Sequence, residues 1–130
     1  MAAITRRTRP SWDNSTAAVM PQITGLLAEE TIPKASPIVV NPATGKLRLA
    51  SSTRGFMGWS AVDAQADEAC TVIVGPGYRM GLTDSGLAAG TALYLSATAG
   101  ALDTSVAGSP VAVVINATDV SSLAAFVTPA

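Results

Sequence analysis

The sequence contains no histidine and a single cysteine, Cys70. The lack of histidine excludes the common zinc sites and the catalytic triads that use an imidazole as the general base. A lone cysteine cannot form a disulfide within the chain, so folding does not depend on an oxidising compartment. Cys70 lies in the apolar stretch ACTVIV, which favours a buried core thiol over a nucleophile. We therefore expect no catalytic residues, no cofactor and no metal site, and predict that the chain is not an enzyme.

Charged residues are also scarce. They make up 13% of the chain, beside 48% hydrophobic residues, and the formal net charge is −1. Soluble domains contain roughly 25% charged residues. A monomer with so few charges has too few charged side chains to cover its surface. We therefore expect contact between copies of the chain, as a homotrimer or, alternatively, a homodimer. No apolar run approaches the length of a membrane span, and we expect no membrane partner.

Residues 1–35 contain three prolines and have no sustained helical or strand period, which indicates an extended N-terminal arm. The arm carries the basic cluster Arg6, Arg7 and Arg9, followed by Trp12. Three arginines can bind nucleic-acid phosphates, but no aromatic series and no recognition helix accompany them, so we expect no nucleic-acid partner. The preferred interpretation is an arm that binds a partner protein, with the arginines pairing with carboxylates and Trp12 as an apolar anchor. The alternative is a tail without a partner.

From residue 36 onward the pattern changes to short apolar runs between turn residues. The runs are SPIVVN, KLRLAS, GFMGWSAV, ACTVIVG, TALYLSA, SPVAVVIN and LAAFVT. Short strands at near-regular spacing are typical of all-β domains. We predict an all-β fold in which residues 36–130 form a small antiparallel sandwich or barrel.

The chain also matches itself. The segment from Ile32 to Leu47 aligns without gaps on the segment from Leu87 to Leu102, at an offset of 55 residues. Apolar positions coincide, and downstream MGWSAVDA falls on VAVVINAT with one residue of slippage. The alignment predicts two repeated hairpin units, at about residues 32–75 and 87–128.

Gly45 and Gly100 coincide in this alignment, within the turns ATG and TAG. Glycine adopts positive φ without a Cβ clash, so both residues are predicted to be structural turn residues. The glycine-rich stretch GPGYRMG, residues 75–81, lacks the lysine and the following helix of a phosphate-binding loop. We interpret it as the link between the two units.

The second unit reads GLAAGTALYLSATAGALDT and continues into a Pro-Val-Ala-Val-Val strand and a closing strand. This arrangement resembles the repeat of tailed-bacteriophage capsid decoration proteins, also called head cement proteins. The first unit is similar in the same order, and the resemblance covers about residues 25–130. The chain departs from the pattern at residues 33–35 and at Trp59, where a small or aliphatic residue is more usual.

The resemblance implies a virion protein that is made in the host cytoplasm, binds the outer surface of an icosahedral capsid and stabilises it. The partner would be the major capsid protein, with Arg6, Arg7, Arg9 and Trp12 as a capsid-binding arm. The alternative function is a carbohydrate-binding or adhesin-like β-module on a particle or cell surface. Such modules usually need exposed aromatic side chains, whereas several of the six aromatic residues here lie in apparent core positions.

Overall fold

The structure of the chain is a computed structural model that describes residue 4 and residues 6–12, 22–83, 87–116 and 119–123, with backbone only for 6–12, 82 and 83. Within these ranges the backbone forms β-strands and no helix, so no helix there is long and apolar enough to cross a bilayer. The predicted all-β class is confirmed. The strands are β1 (Arg6–Trp12), β2 (Gln22–Ile23), β3 (Pro37–Val40), β4 (Leu47–Leu49), β5 (Gly58–Ser60), β6 (Val72–Ile73), β7 (Arg79–Thr83), β8 (Ala92–Leu95), β9 (Leu102–Asp103), β10 (Ala112–Val114) and β11 (Asp119–Ser122).

The strands form two antiparallel sheets. One has six strands in the order β1-β7-β11-β10-β8-β9, and the other has five in the order β2-β6-β5-β3-β4. The two sheets pack as a small sandwich. Among the described residues, one backbone hydrogen bond, from Ile4 N to Leu102 O at 3.0 Å, links the residue near the start of β1 to β9 at the opposite edge. One bond is not a strand pairing, so the six-stranded sheet is not a closed barrel.

The five-stranded sheet and five strands of the larger sheet repeat the same topology. The order β2-β6-β5-β3-β4 has its counterpart in β7-β11-β10-β8-β9, and β1 is added beyond β7. Both units therefore contain a hairpin (β3–β4 or β8–β9) and a return strand (β5 or β10) that pairs with the first hairpin strand. A closing strand (β6 or β11) then pairs with the return strand. The repeated hairpin topology is confirmed, but the closing strand of the second unit is β11 and not the predicted run LAAFVT, of which only Leu123 lies in the described part of the chain.

The pairing registers repeat as well. Val40 lies opposite Leu47 in the first hairpin, and Leu95 lies opposite Leu102 in the second, as the offset of 55 residues predicts. The return strands differ by one residue from this offset, because Ile38 faces Gly58 whereas Leu93 faces Ala112. The slippage inferred from the alignment is thus a real change of spacing between the hairpin and the return strand.

The hairpin turns also share a hydrogen-bond pattern. In the first turn the side-chain oxygen of Asn41 accepts from the N–H of Ala43 at 3.0 Å. In the second, the hydroxyl of Ser96 accepts from the N–H of Thr98 at 3.1 Å. Asparagine and serine at the start of a turn can replace each other in this role, because either side chain accepts from the backbone two residues on.

Each unit begins earlier than the sequence comparison indicated. β2 pairs with β6, and β7 pairs with β11 in the corresponding register. The stretch 75–81, interpreted as a link, therefore contains the start of the first strand of the second unit. The residues just before β7 are held by Ser122, because its hydroxyl donates to Gly75 O at 2.8 Å and accepts from Tyr78 N at 2.9 Å.

The main hydrophobic core draws on both sheets. Trp59 from β5 is fully buried there, and its ring meets the ring of Phe56 edge to face, with centroids 5.3 Å apart. The six-stranded sheet contributes its inward positions, at every second residue of each strand, as β-geometry requires. The members from that sheet are Met80, Leu93, Leu95, Leu102, Ala112, Val114 and Val120.

A second, smaller core covers the other face of the five-stranded sheet. Ile38, Leu47 and Val72 point to this side, where Ala28 and Ile32 pack on them. The five-stranded sheet is therefore apolar on both faces, which explains the nearly continuous apolar runs in its strands.

The outer edge of β4 is blocked by two side chains. The carboxylate of Glu30 accepts from Leu49 N at 3.1 Å, and the guanidinium of Arg54 donates to Leu49 O at 3.1 Å. Oε2 of Glu30 and Nη1 of Arg54 lie 3.6 Å apart and form an ion pair. They satisfy the backbone groups of Leu49, and those of Leu47 are paired with Leu27 O and Glu29 N, so this edge is protected from pairing with another chain.

We predict that Gly100→Ala destabilises the fold more than Gly45→Ala. Both glycines have positive φ, 81° and 71°, so alanine costs about 1–2 kcal/mol at either position. A Cβ at Gly100 would also lie 3.1 Å from a methyl of Leu49 in the other unit, whereas a Cβ at Gly45 meets nothing within 4 Å. The additional loss of unfolding free energy in Gly100→Ala is expected to be about 1 kcal/mol, measured by urea denaturation.

A Leu49→Ala background supplies the control, because it removes the contact but keeps both backbone conformations. There the two glycine substitutions are expected to have equal effects. A difference that persists in this background would show that contact with Leu49 is not its cause.

Candidate binding surface

The predicted capsid-binding residues Arg6, Arg7, Arg9 and Trp12 all lie on β1, at the edge of the six-stranded sheet. β1 pairs antiparallel with β7, with Trp12 opposite Met80. This part of the predicted arm therefore adds a strand to the β-domain and does not stand apart from it. The side chains of the four residues lie outside the described part of the chain.

The pairing of β1 is interrupted. Arg6 faces Thr83 and Ser11 faces Gly81, so the backbone between Arg6 and Ser11 is longer than the β7 segment opposite it. Arg7 and Arg9 lie within this irregular stretch. Pro10 lacks an N–H, so it cannot donate to the ladder, which fits an edge strand with a bulge. The basic cluster is thus held at the edge of the sheet, where the regular strand pairing is interrupted.

The rest of the predicted arm that the structure describes, residues 22–35, is also part of the packed domain. Ala28, Ile32 and Ala35 are fully buried, and the backbone of Ile32 exchanges two hydrogen bonds with Ala64, at 2.8 and 2.9 Å. A boundary at residue 35 is therefore wrong for this stretch. The physical reason is that the outer face of the five-stranded sheet is apolar, and this irregular segment is what covers it.

The carboxylates of the loop after β5 are held by local contacts. Asp63 accepts from Lys34 N at 2.7 Å, Asp67 pairs with the ammonium of Lys46 at 2.6 Å, and Glu68 accepts from Gln65 N at 2.7 Å. Among the described residues, no group of three or more histidine, cysteine, aspartate or glutamate side chains is arranged to hold a metal ion.

Cys70 and Tyr78 are both buried. Burial raises the pKa of the Cys70 thiol, because a thiolate would lose its hydration. Burial also raises the pKa of the Tyr78 hydroxyl, far above its ordinary range. Both side chains therefore remain neutral near pH 7 and serve as core residues.

A surface groove lies at one end of the second unit. It has a volume of about 320 Å³ and is bounded by the β8–β9 turn, by the loop after β9, and by Ser52 of the first unit. Asp103 lines it and is only 8% exposed. Sequence reasoning missed this groove, because Asp103 is a single carboxylate at the end of an apolar strand and belongs to no recognisable motif.

Glu29 holds the first hairpin turn to the segment before β3. Its carboxylate accepts from the hydroxyl of Thr44 at 2.8 Å and from the side-chain amide of Asn41 at 2.9 Å. These bonds, that of Thr44 first, lower the pKa of Glu29 below its ordinary value.

We predict that this carboxylate makes the protein less stable in acid. A lowered pKa in the folded state stabilises the fold above the ordinary value of about 4.5, and the contribution is lost as the pH falls below it. Urea denaturation at pH 7 and pH 3 is the measurement. The loss of unfolding free energy between the two is expected to be smaller in Glu29→Gln, which does not titrate.

Thr44→Val provides the matched control, because it removes the strongest hydrogen bond and leaves Glu29 in place. Its acid-induced loss is expected to lie between those of the wild type and Glu29→Gln. Equal acid-induced losses of unfolding free energy in all three proteins would show that Glu29 is not the source of the acid sensitivity.

Comparisons with protein-family models, with curated proteins and with solved structures gave no match to this chain. The resemblance to capsid decoration proteins therefore rests on the residues of the two repeated units alone.

Proposed function

We propose that this chain is a virion structural protein that binds the outer surface of an icosahedral phage capsid and stabilises it. The major capsid protein is the proposed partner. The observation that carries the proposal is the duplicated β-unit. The residues that resemble the decoration-protein repeat occupy equivalent strands and turns in both copies, with Gly45 and Gly100 at positive φ.

The proposed attachment site is β1. An edge strand has one unpaired side, and the irregular stretch between Arg6 and Ser11 places Arg7 and Arg9 where the ladder is already interrupted. Guanidinium groups bind carboxylates through paired hydrogen bonds, so they suit an acidic patch on a shell. Trp12 is proposed as the apolar anchor of the same contact.

Self-association is part of the proposal, as a homotrimer or alternatively a homodimer. Several large apolar side chains are exposed in the described part of the chain, beside few charges. They are Leu27, Val62, Val106, Ile115 and Leu123. Contacts between copies, or with the shell, would remove such side chains from water.

A carbohydrate-binding or adhesin-like module is the less favoured function. Sugar-binding platforms present aromatic faces to solvent, but Phe56, Trp59 and Tyr78 are fully buried and Tyr94 is half-buried. The aromatic residues whose side chains are described thus serve mainly as core.

We predict that Arg7→Ala/Arg9→Ala weakens attachment to shells of the major capsid protein by about tenfold or more, because each arginine loses charge-assisted hydrogen bonds. The measurement is co-sedimentation of the full chain with assembled shells over a range of protein concentrations. Trp12→Ala is expected to weaken attachment at least as much.

Lys34→Ala/Lys46→Ala is the matched control, because it removes the same charge at positions outside β1, and at Lys46 it breaks an exposed ion pair with Asp67. It is expected to attach almost as well as the wild type. Equal losses in the two double variants would show an effect of net charge alone, and undiminished attachment of the β1 variants would contradict the assigned site.

A further inference from the structure

The six-stranded sheet has one face turned away from the shared core, and we call it the outer face. Successive residues of a strand point to opposite faces, so the residues between the core positions of β8, β10 and β11 lie on it. Ile115 and Leu123 are 40% and 41% exposed there, and no hydrophobic residue of this face belongs to either core. The residues that matter for binding are Ala92, Tyr94, Val113, Ile115, Ser121 and Leu123.

The equivalent face of the first unit is buried. Val113 lies opposite Ser121 in the second unit as Trp59 lies opposite Ile73 in the first, and both return strands pair with equivalent residues of the first hairpin strand. Val113 thus occupies the position that Trp59 has in its own unit. Trp59 and Ile73 lie in the main core, where the first unit packs on the second. The described residues supply no third sheet that would cover the outer face in the same way.

The other end of this stack of two sheets is covered. Residues 26–35 lie on the far face of the five-stranded sheet, where Ala28 and Ile32 are fully buried. Another copy therefore cannot add there with its own outer face, which would continue the stack head to tail as an open chain of copies. Stacked repeats need a cover at both ends, and here only the outer face is left without one.

The chemistry of the outer face suits contact with an identical face. The charged residues of β7 and β11, Arg79 and Asp119, are paired with each other at 2.6 Å, so these two strands bring no net charge to a contact. Val113, Ile115 and Leu123 form an aliphatic surface beside them. An acidic or basic partner would find no opposite charge in excess on these strands, whereas a second copy supplies a neutral, apolar surface of the same kind.

We propose that two copies of this chain pack through the outer faces of their six-stranded sheets, related by a two-fold axis. The contact removes Val113, Ile115 and Leu123 of both copies from water. A two-fold contact uses the same surface on both partners, and the outer face is the apolar sheet face that remains available. The inference rests on the self-association included in the proposed function, and of the two states named there it selects the homodimer.

The test is sedimentation equilibrium of the full chain without shells, from roughly 1 to 200 µM. The wild type is expected to form a dimer with a dissociation constant on the order of micromolar. Ile115→Lys/Leu123→Lys is expected to raise that constant at least tenfold, because lysines of both copies would meet in an apolar contact. A wild type that stays monomeric over this range, or that forms a trimer, would overturn the proposal.

Leu27→Lys/Val62→Lys is the matched control, because it adds the same charge at apolar residues of the first unit that are 41% and 43% exposed. It is expected to dimerise like the wild type. Circular dichroism checks that both double variants keep the wild-type fold. Equal weakening in the two double variants would show that the contact is not specific to the outer face, and would refute the proposal.

Methyl NMR of the wild type on dilution gives a second test that needs no substitution. Concentration-dependent shifts are expected at Val113, Ile115 and Leu123 but not at Leu27 or Val62. Association without shifts on the outer face would refute the proposed contact. Co-sedimentation with shells separates this inference from the proposed function: a dimer that does not attach contradicts only the capsid role, and a monomer that attaches contradicts only the dimer.

Discussion

Each repeated unit has an apolar sheet face whose exposure to water would be unfavourable, and the two faces pack against each other. The shared core contains Trp59 and Phe56 from the first unit and the inward residues of β7 to β11 from the second. Burying a large apolar side chain contributes about 1.5–3 kcal/mol, so separating the two units would expose this shared core at a large cost in free energy. Trp59 fills this interior, so the packing of the two sheets accounts for a large residue at this position.

Segments outside the repeats complete this arrangement. Residues 26–35 cover the second apolar face of the five-stranded sheet, and β1 covers the edge of β7. Ile4 reaches across to Leu102 at the far edge. The basic cluster of β1 is therefore held on the folded domain, so the proposed docking of this cluster would require less ordering of the backbone than docking of a free tail.

The sequence predicted those parts of the fold that depend on local chemistry. The alternation of apolar residues in β3 and β8, and the glycine at each turn, specify a hairpin without reference to the rest of the chain. β2 and β7 were missed because each forms only where a partner strand is already in place, and Gln22–Ile23 carries no strand pattern of its own. The groove that Asp103 lines was missed because it is formed by a turn and a loop that the sequence does not show to be neighbours.

The central claim is that two equivalent units share one interior, and nuclear Overhauser contacts across the strands test it most directly. The account predicts contacts between Val40 and Leu47 and between Leu95 and Leu102 in the two hairpins, with a contact between the backbones of Gly100 and Ala50 joining the units. Hairpin contacts in one unit only, or the absence of any contact between the units, would contradict it.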